Sequence, residues 1–255
     1  AVTDPLVRQE IAETLYHTLW EHVHIFLDNR GLLEGRAARP VHDSGASSFL
    51  YPFLGQQETD LDAILEDVRQ SILMKADEIT ALRTQTLTEY ADDLVTAAVA
   101  LRERLDAGGR ILALGNGGSA TDAMDVVADF RAPMFGGPAR RALDLTEDTA
   151  IITAIANDIG TDAIFLRQVI AYGRKGDVLM TLSTSGNSLS VLAALREARK
   201  RGMLTIAFVG YDGGNVEKDG LADHVIISRS ENIPRIQEAH ASGYHVLREL
   251  VELVE

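Results

Sequence analysis

The sequence predicts an α/β fold: a doubly wound parallel sheet with helices on both faces and a helical extension on its N-terminal side. Three observations carry that expectation. After Arg110, short aliphatic runs alternate with amphipathic stretches of helical length, as repeated strand–helix units do. The chain is 46% hydrophobic but only 5% aromatic, so Ala, Val, Leu and Ile must build its core. Strands of a buried parallel sheet read as such aliphatic runs.

Residues 5–29 place Leu6, Ile11, Leu15, Leu19, Val23 and Phe26 at helical spacing. The Gly- and Pro-containing stretch from Arg30 to Gln57 reads as a loop, with an apolar cluster at Phe49–Leu54 expected to dock. Thr59 to Ala107 reads as a long helical region, divided near Arg83–Thr88 where Thr weakens helix propensity and ended by Gly108-Gly109. A strand at 111–114 and a helix at 119–130 follow, then a strand at 141–145 and helices at 149–157 and 162–172. Next come a strand at 177–183, a helix at 189–201, a strand at 203–210 and a short helix or turn at 213–220. A strand at 223–228 and a final helix at 233–253 complete the series.

Net charge is −14, from 38 acidic and 24 basic residues. Nucleic acid is therefore excluded as an expected partner, because a phosphate backbone needs a basic footprint. An anionic small substrate would need backbone amides or a helix end to offset the global field. The chain has no cysteine, which removes disulfide and thiolate chemistry and fits a cytoplasmic protein. Ala1 to Glu10 are too polar for a signal peptide, and no apolar run approaches the roughly 18 residues of a membrane span. Cytoplasmic location and no membrane partner are the expectation.

The most informative segment is DVLMTLSTSGNSLSVLAALREAR at 177–199. A strand ends at Ser183, a turn follows, and a helix begins near Ser188. Ligands of open α/β sheets bind beyond the C-terminal ends of strands, where helix N-terminal amides point unsatisfied. Gly186 permits close backbone approach, and Ser183, Thr184, Ser185 and Ser188 add hydroxyl donors. Such a turn can hold a phosphate dianion without Lys or Arg. Each residue alone also fits a plain N-cap or turn. A second strand–turn–helix unit, ILALGNGGSATDAM at 111–124, offers Gly115, Gly117 and Gly118 with the Ser119 hydroxyl. It lacks the endings of a Walker A loop and of GxGxxG, so no nucleotide cofactor is expected.

With GNGGSATDAM (115–124), TAIANDIG (153–160), GDVLMTLSTSGNS (176–188), GYDGG (210–214) and RIQEAH (235–240) in order, the chain resembles the SIS-domain family, and within it the phosphoheptose isomerases. The likeness runs over residues 65–255, of which 65–109 would be the N-terminal helices of the SIS domain. Residues 1–64 form a helical and loop extension outside it. The resemblance implies a five-stranded, Rossmann-like parallel sheet and a homotetramer, or a dimer, with active sites at subunit interfaces. It implies a phosphorylated sugar as ligand, held by Ser119, Ser183, Thr184, Ser185 and Ser188, with Asn116 and Asp158 lining the pocket.

Family members with a zinc site use a His and a Glu four apart on the helix after GNGGS, and a Gln and a His on the last helix. The matching residues are Asp125, Asp129, Gln237 and His245. Asp125 and Asp129 depart from the pattern, yet share one helix face. The resemblance thus implies one divalent metal per site, and the harder ligand set lets Mn or Mg compete with Zn. It also implies Asp129 and His245 as the acid–base pair. The same residues fit solvated charges and a buried hydrogen-bonding glutamine. Gln237 and His245 lie roughly 80° and about 12 Å apart on one helix, so one chain would strain to aim both at one ion. His240, three residues from Gln237, competes with His245 on geometry. Arg131 is the nearest basic residue past Asp129, and Pro133 stands where some isomerases carry Arg.

The expected function is aldose–ketose isomerisation of a phosphorylated sugar, sedoheptulose 7-phosphate to a D-glycero-manno-heptose 7-phosphate. The alternative is a non-catalytic SIS protein of the sensor or replication-initiator-associating type.

Overall fold

A computed structural model of the chain describes residues 2–28, 61–133 and 137–254. The expected loop at 30–57 and its Phe49–Leu54 cluster lie outside the described residues. Two compact units form, residues 1–81 and 82–255, dividing inside a helix. The first holds α1 (Pro5–Asp28) and most of α2 (Leu61–Glu89). Leu6, Ser71 and Ile79 are buried within it, and the Lys75 ammonium meets the buried Glu21 carboxylate.

The second unit continues through α3 (Ala91–Asp106) into the alternating part. The helical break falls at Tyr90, not at Arg83–Thr88. Thr86 is buried and Leu87 packs on the core there, so tertiary contact outweighs the modest Thr propensity. Then follow β1 (Ile111–Gly115), α4 (Gly118–Arg131), β2 (Ala142–Asp144), α5 (Thr149–Asp158), a 3₁₀ turn at 161–163, and α6 (Ile164–Tyr172). The series ends with β3 (Val178–Ser183), α7 (Leu189–Lys200), β4 (Leu204–Gly210), α8 (Gly214–Lys218), β5 (His224–Ser228) and α9 (Ile233–Leu253).

The five strands pair in the order β2-β1-β3-β4-β5, all parallel. Alternate side chains divide the core in two. Ile111, Ala113, Val178, Met180, Ile206 and Phe208 face α3, α4 and α9. Leu112, Leu114, Leu179, Ala207 and Val209 face α6 and α7. Gly243 lets α9 approach the sheet, since a Cβ there would stand 2.8 Å from the Phe208 ring. In this strand order β2 lies to one side of β1 and β3 to the other. The chain reverses direction of winding between them, which opens a crevice above β1 and β3. Both Gly/Ser-rich turns lead out of those two strands.

Candidate active site

The turn after β3 is built mostly by its own hydroxyls and by the segment after β4. Ser183 is buried, and its Oγ accepts from the Gly186 amide at 3.2 Å. Ser185 Oγ accepts from the Asn187 amide at 3.2 Å. Gly186 has φ +60, and a Cβ there would collide with the Gly213 carbonyl. The Gly210 amide donates to the Thr184 carbonyl at 2.9 Å, and the Val216 amide to that of Gly186 at 3.1 Å. Asn187 Oδ1 accepts from the Asn215 amide at 2.8 Å. The GYDGG segment therefore braces the turn, a role not assigned to it from sequence, although its glycines were the visible signal.

Ser188 occupies the N-cap of α7, yet its side chain makes no capping hydrogen bond. Its hydroxyl and the first amides of α7 lie together at a helix end that carries partial positive charge. Asn116, at the turn after β1, donates from Nδ2 to Ser190 Oγ at 3.0 Å. That bond joins the turn after β1 to the start of α7. Gly117 caps α4 with φ +57, and Ser119 is buried within its first turn. A Cβ on Gly118 would run into the Gln237 carboxamide, so Gln237 stands at this same end of α4. The structure thus gathers Asn116, Gly117, Gly118, Ser119, Ser183, Thr184, Ser185, Ser188 and Gln237 around the crevice.

Asp158 follows on α5. It is exposed at the end of α5, takes a 2.7 Å hydrogen bond from Asn157, and lines a pocket of about 260 Å³ with Ile155, Arg167 and Tyr172.

Asp129 and His245 meet at the other end of α4. Their Oδ2 and Nε2 atoms are 3.6 Å apart, and both residues are buried. Burial pushes the Asp129 carboxyl up to about 6; His245 and Arg248 oppose that rise, and Asp125 adds to it. Ser119 and Asp129 are ten residues apart, or about 15 Å along the helix. Gln237 and His245 are correspondingly separated on α9. One chain therefore places the Ser/Gly turns at one end of α4 and the Asp129–His245 pair at the other. Among the described residues no three His, Asp or Glu side chains are grouped to hold a metal ion.

His240 is fully buried, packed edge-on to Phe208 with ring centroids 6.2 Å apart, and burial lowers its imidazole to about 4. It faces β4 and serves the core. Arg131 is exposed and donates from Nε to the Ala142 carbonyl at 2.9 Å, which ties α4 to β2.

A family model described as the SIS domain matches residues 76–210, more than half of the 255 residues. The chain belongs to the SIS-domain family. A phosphoheptose isomerase of Roseiflexus sp. is 44% identical over 186 residues, which are 69% of this chain and 90% of that one. Another, from Chlorobium phaeobacteroides, is 47% identical over 213 residues, covering 82% of this chain and 88% of that one. The solved phosphoheptose isomerase of Neisseria gonorrhoeae superposes with a TM-score of 0.68 at 34% identity, over 73% of this chain and all of that one. These relatives place this SIS protein in the phosphoheptose isomerase branch. The family match starts at residue 76, so α1 lies outside it.

Two outcomes follow from the site. Because Ser188 does not cap α7, Ser188→Ala should change folding stability by no more than about 0.5 kcal/mol while weakening phosphate-ester affinity about tenfold, the worth of one hydrogen bond to a charged group. Paired denaturation and calorimetric titration check this. Asp129 has a folded-state pKa raised from 3.8 to about 6, so the fold favours its neutral form. Its cost to stability is absent below pH 4, grows between pH 4 and 6, and is complete above. In chelator-treated protein, Asp129→Asn should therefore stabilise by roughly 2–3 kcal/mol at pH 7.5 and by nothing at pH 3.5, read by urea unfolding.

Proposed function

We propose that this SIS protein isomerises sedoheptulose 7-phosphate to a D-glycero-manno-heptose 7-phosphate. The observation that carries the proposal is the uncapped Ser188 beside the α7 amides, joined through Asn116 to the turn of Ser119 at the switch point of the sheet. Those neutral donors hold a phosphate ester on a chain of net charge −14. Gln237 at the same end of α4 reaches the sugar hydroxyls.

The reaction moves hydrogen between C1 and C2. Asp129 takes a proton from C1 of the ketose while a proton is delivered to O2, giving a C1–C2 enediol. The conjugate acid of Asp129 then returns its proton to C2 as O1 loses its own, giving the aldose. A carboxyl raised to about 6 suits this role, because a base is most effective when its pKa lies near the working pH. His245, 3.6 Å from Asp129, serves the oxygen protons.

The distance along α4 bears on assembly. Its roughly 15 Å between Ser119 and Asp129 exceeds what an extended seven-carbon phosphate ester spans from C1 to phosphorus. A homotetramer or dimer that brings one protomer's cradle against its partner's Asp129–His245 pair makes the site whole.

A divalent cation fits the donor chemistry of Asp129 and His245. Metal–ligand bonds of about 2 Å each let donors 3.6 Å apart share one ion. Within one protomer Asp125, one turn earlier, is not grouped with the pair and Gln237 stands at the cradle end of α4, so further donors would come from Asp125 turning toward the pair and from a neighbouring protomer. Two carboxylates suit Mn or Mg as well as Zn. Such an ion would supply Lewis-acid polarisation of the carbonyl. No helix among the described residues is long and apolar enough to cross a membrane.

The test is incubation with sedoheptulose 7-phosphate, with and without chelator, following the aldose product. Turnover that falls at least 100-fold in both Asp129→Asn and His245→Ala is expected. Saturable binding with no turnover in the metal-supplemented wild type would overturn the isomerase reading and leave a sensor.

A further inference from the structure

Asp129 closes the last turn of α4, where backbone carbonyls run out of helical donors. Its own carbonyl is worse placed than most, for the residue four positions on is Pro133, which has no N–H to give. The donor comes from another helix. Arg248 on α9 is 7% exposed, and its Nε donates to the Asp129 carbonyl at 3.2 Å. Its guanidinium carbon lies 5.1 Å from the centroid of the buried Phe130 ring. Nη1 bonds Glu252 Oε1 at 3.2 Å, one turn further along α9. A cation at this point also complements the negative end of the α4 dipole. The guanidinium is thus held from three sides while it grips the backbone of the residue that carries the base.

We propose that Arg248 is a positioning residue for the isomerisation: it locks the last turn of α4 to α9 and so fixes where the Asp129 carboxylate stands relative to His245 and the sugar. This rests on the reading of Asp129 as the base. Pro133 and Arg248 then form one device. The proline withdraws a local donor, and the arginine replaces it with a donor that registers α4 against the helix bearing His245, three residues before Arg248. Lysine cannot reproduce it, because a point ammonium lacks the planar fork that reaches Asp129 and Glu252 together while lying on Phe130. Arg248 bonds Asp129 and Glu252 and lies on Phe130, none of them in the Ser/Gly turns, so binding of the ester is spared.

The experiment compares wild type, Arg248→Met and Arg248→Lys in steady-state turnover of sedoheptulose 7-phosphate, with active sites counted by stoichiometric binding of the sugar phosphate. The expected result is a kcat per site reduced about 10- to 100-fold in R248M with KM changed less than about threefold, and partial recovery in R248K, since misplacement by about 1 Å costs that much. A purely structural role would lower stability and the number of sites but leave kcat per site intact. An unchanged kcat per site, or a raised KM with kcat preserved, overturns the proposal. If R248M does not fold, R248K alone decides by the same criteria. If the wild type shows no turnover, the isomerase reading fails by itself, and amide hydrogen exchange over residues 128–132 tests the clamp. Faster exchange in the Arg248 variants than in wild type supports it, and equal exchange overturns it.

Discussion

The proposed capture of an anion by neutral donors is the constraint on which the rest of the structure depends. A chain of net charge −14 repels a phosphate ester at long range, so attraction must be short-ranged and preorganised. Parallel strands followed by helices deliver this at low cost in side chains. Each crossover points the amides of a helix start into the crevice above the strand ends, and the order β2-β1-β3-β4-β5 puts two such starts side by side. Ser119 and the Ser183–Ser188 turn then need only hydroxyls and close backbone approach.

Close approach is the reason for the glycines. Gly186 sits against the Gly213 carbonyl and Gly118 against the Gln237 carboxamide, so any Cβ at either place would displace a neighbour. The hydrogen bonds from Gly210, Asn215 and Val216 hold the turn after β3 from behind. Rigidity matters because the amides bind a dianion only if already aimed. The other end of α4 follows a different logic. There burial raises Asp129 toward neutrality, and a buried cation from α9 keeps its backbone in place.

Much of this was legible in the sequence. Aliphatic strands, Gly-closed helices and the two Ser/Gly turns marked the sheet and the turns above it, because local chemistry and tertiary role coincide there. Where they diverge, the sequence misleads. The Thr-rich stretch at 83–88 reads as a break, but burial of Thr86 and packing of Leu87 carry α2 on to Glu89. Arg131 is near Asp129 in sequence yet bonds β2, whereas Arg248 lies more than a hundred residues away and reaches the Asp129 carbonyl. An arginine in the buried face of α9, between Leu247 and Val251, was the available signal, and it requires knowing what that face packs against. The separation of Gln237 from His245 was readable from helix pitch alone. That Gln237 belongs to the cradle end was not, because it depends on how α4 and α9 pack.

A crystal structure of the protein with bound sedoheptulose 7-phosphate tests the central claim most directly. The account predicts phosphorus within hydrogen-bond reach of the Ser183–Ser188 turn and the α7 amides, with no lysine or arginine contacting the phosphate oxygens. A phosphate seated on basic side chains elsewhere, with that turn vacant, would contradict it.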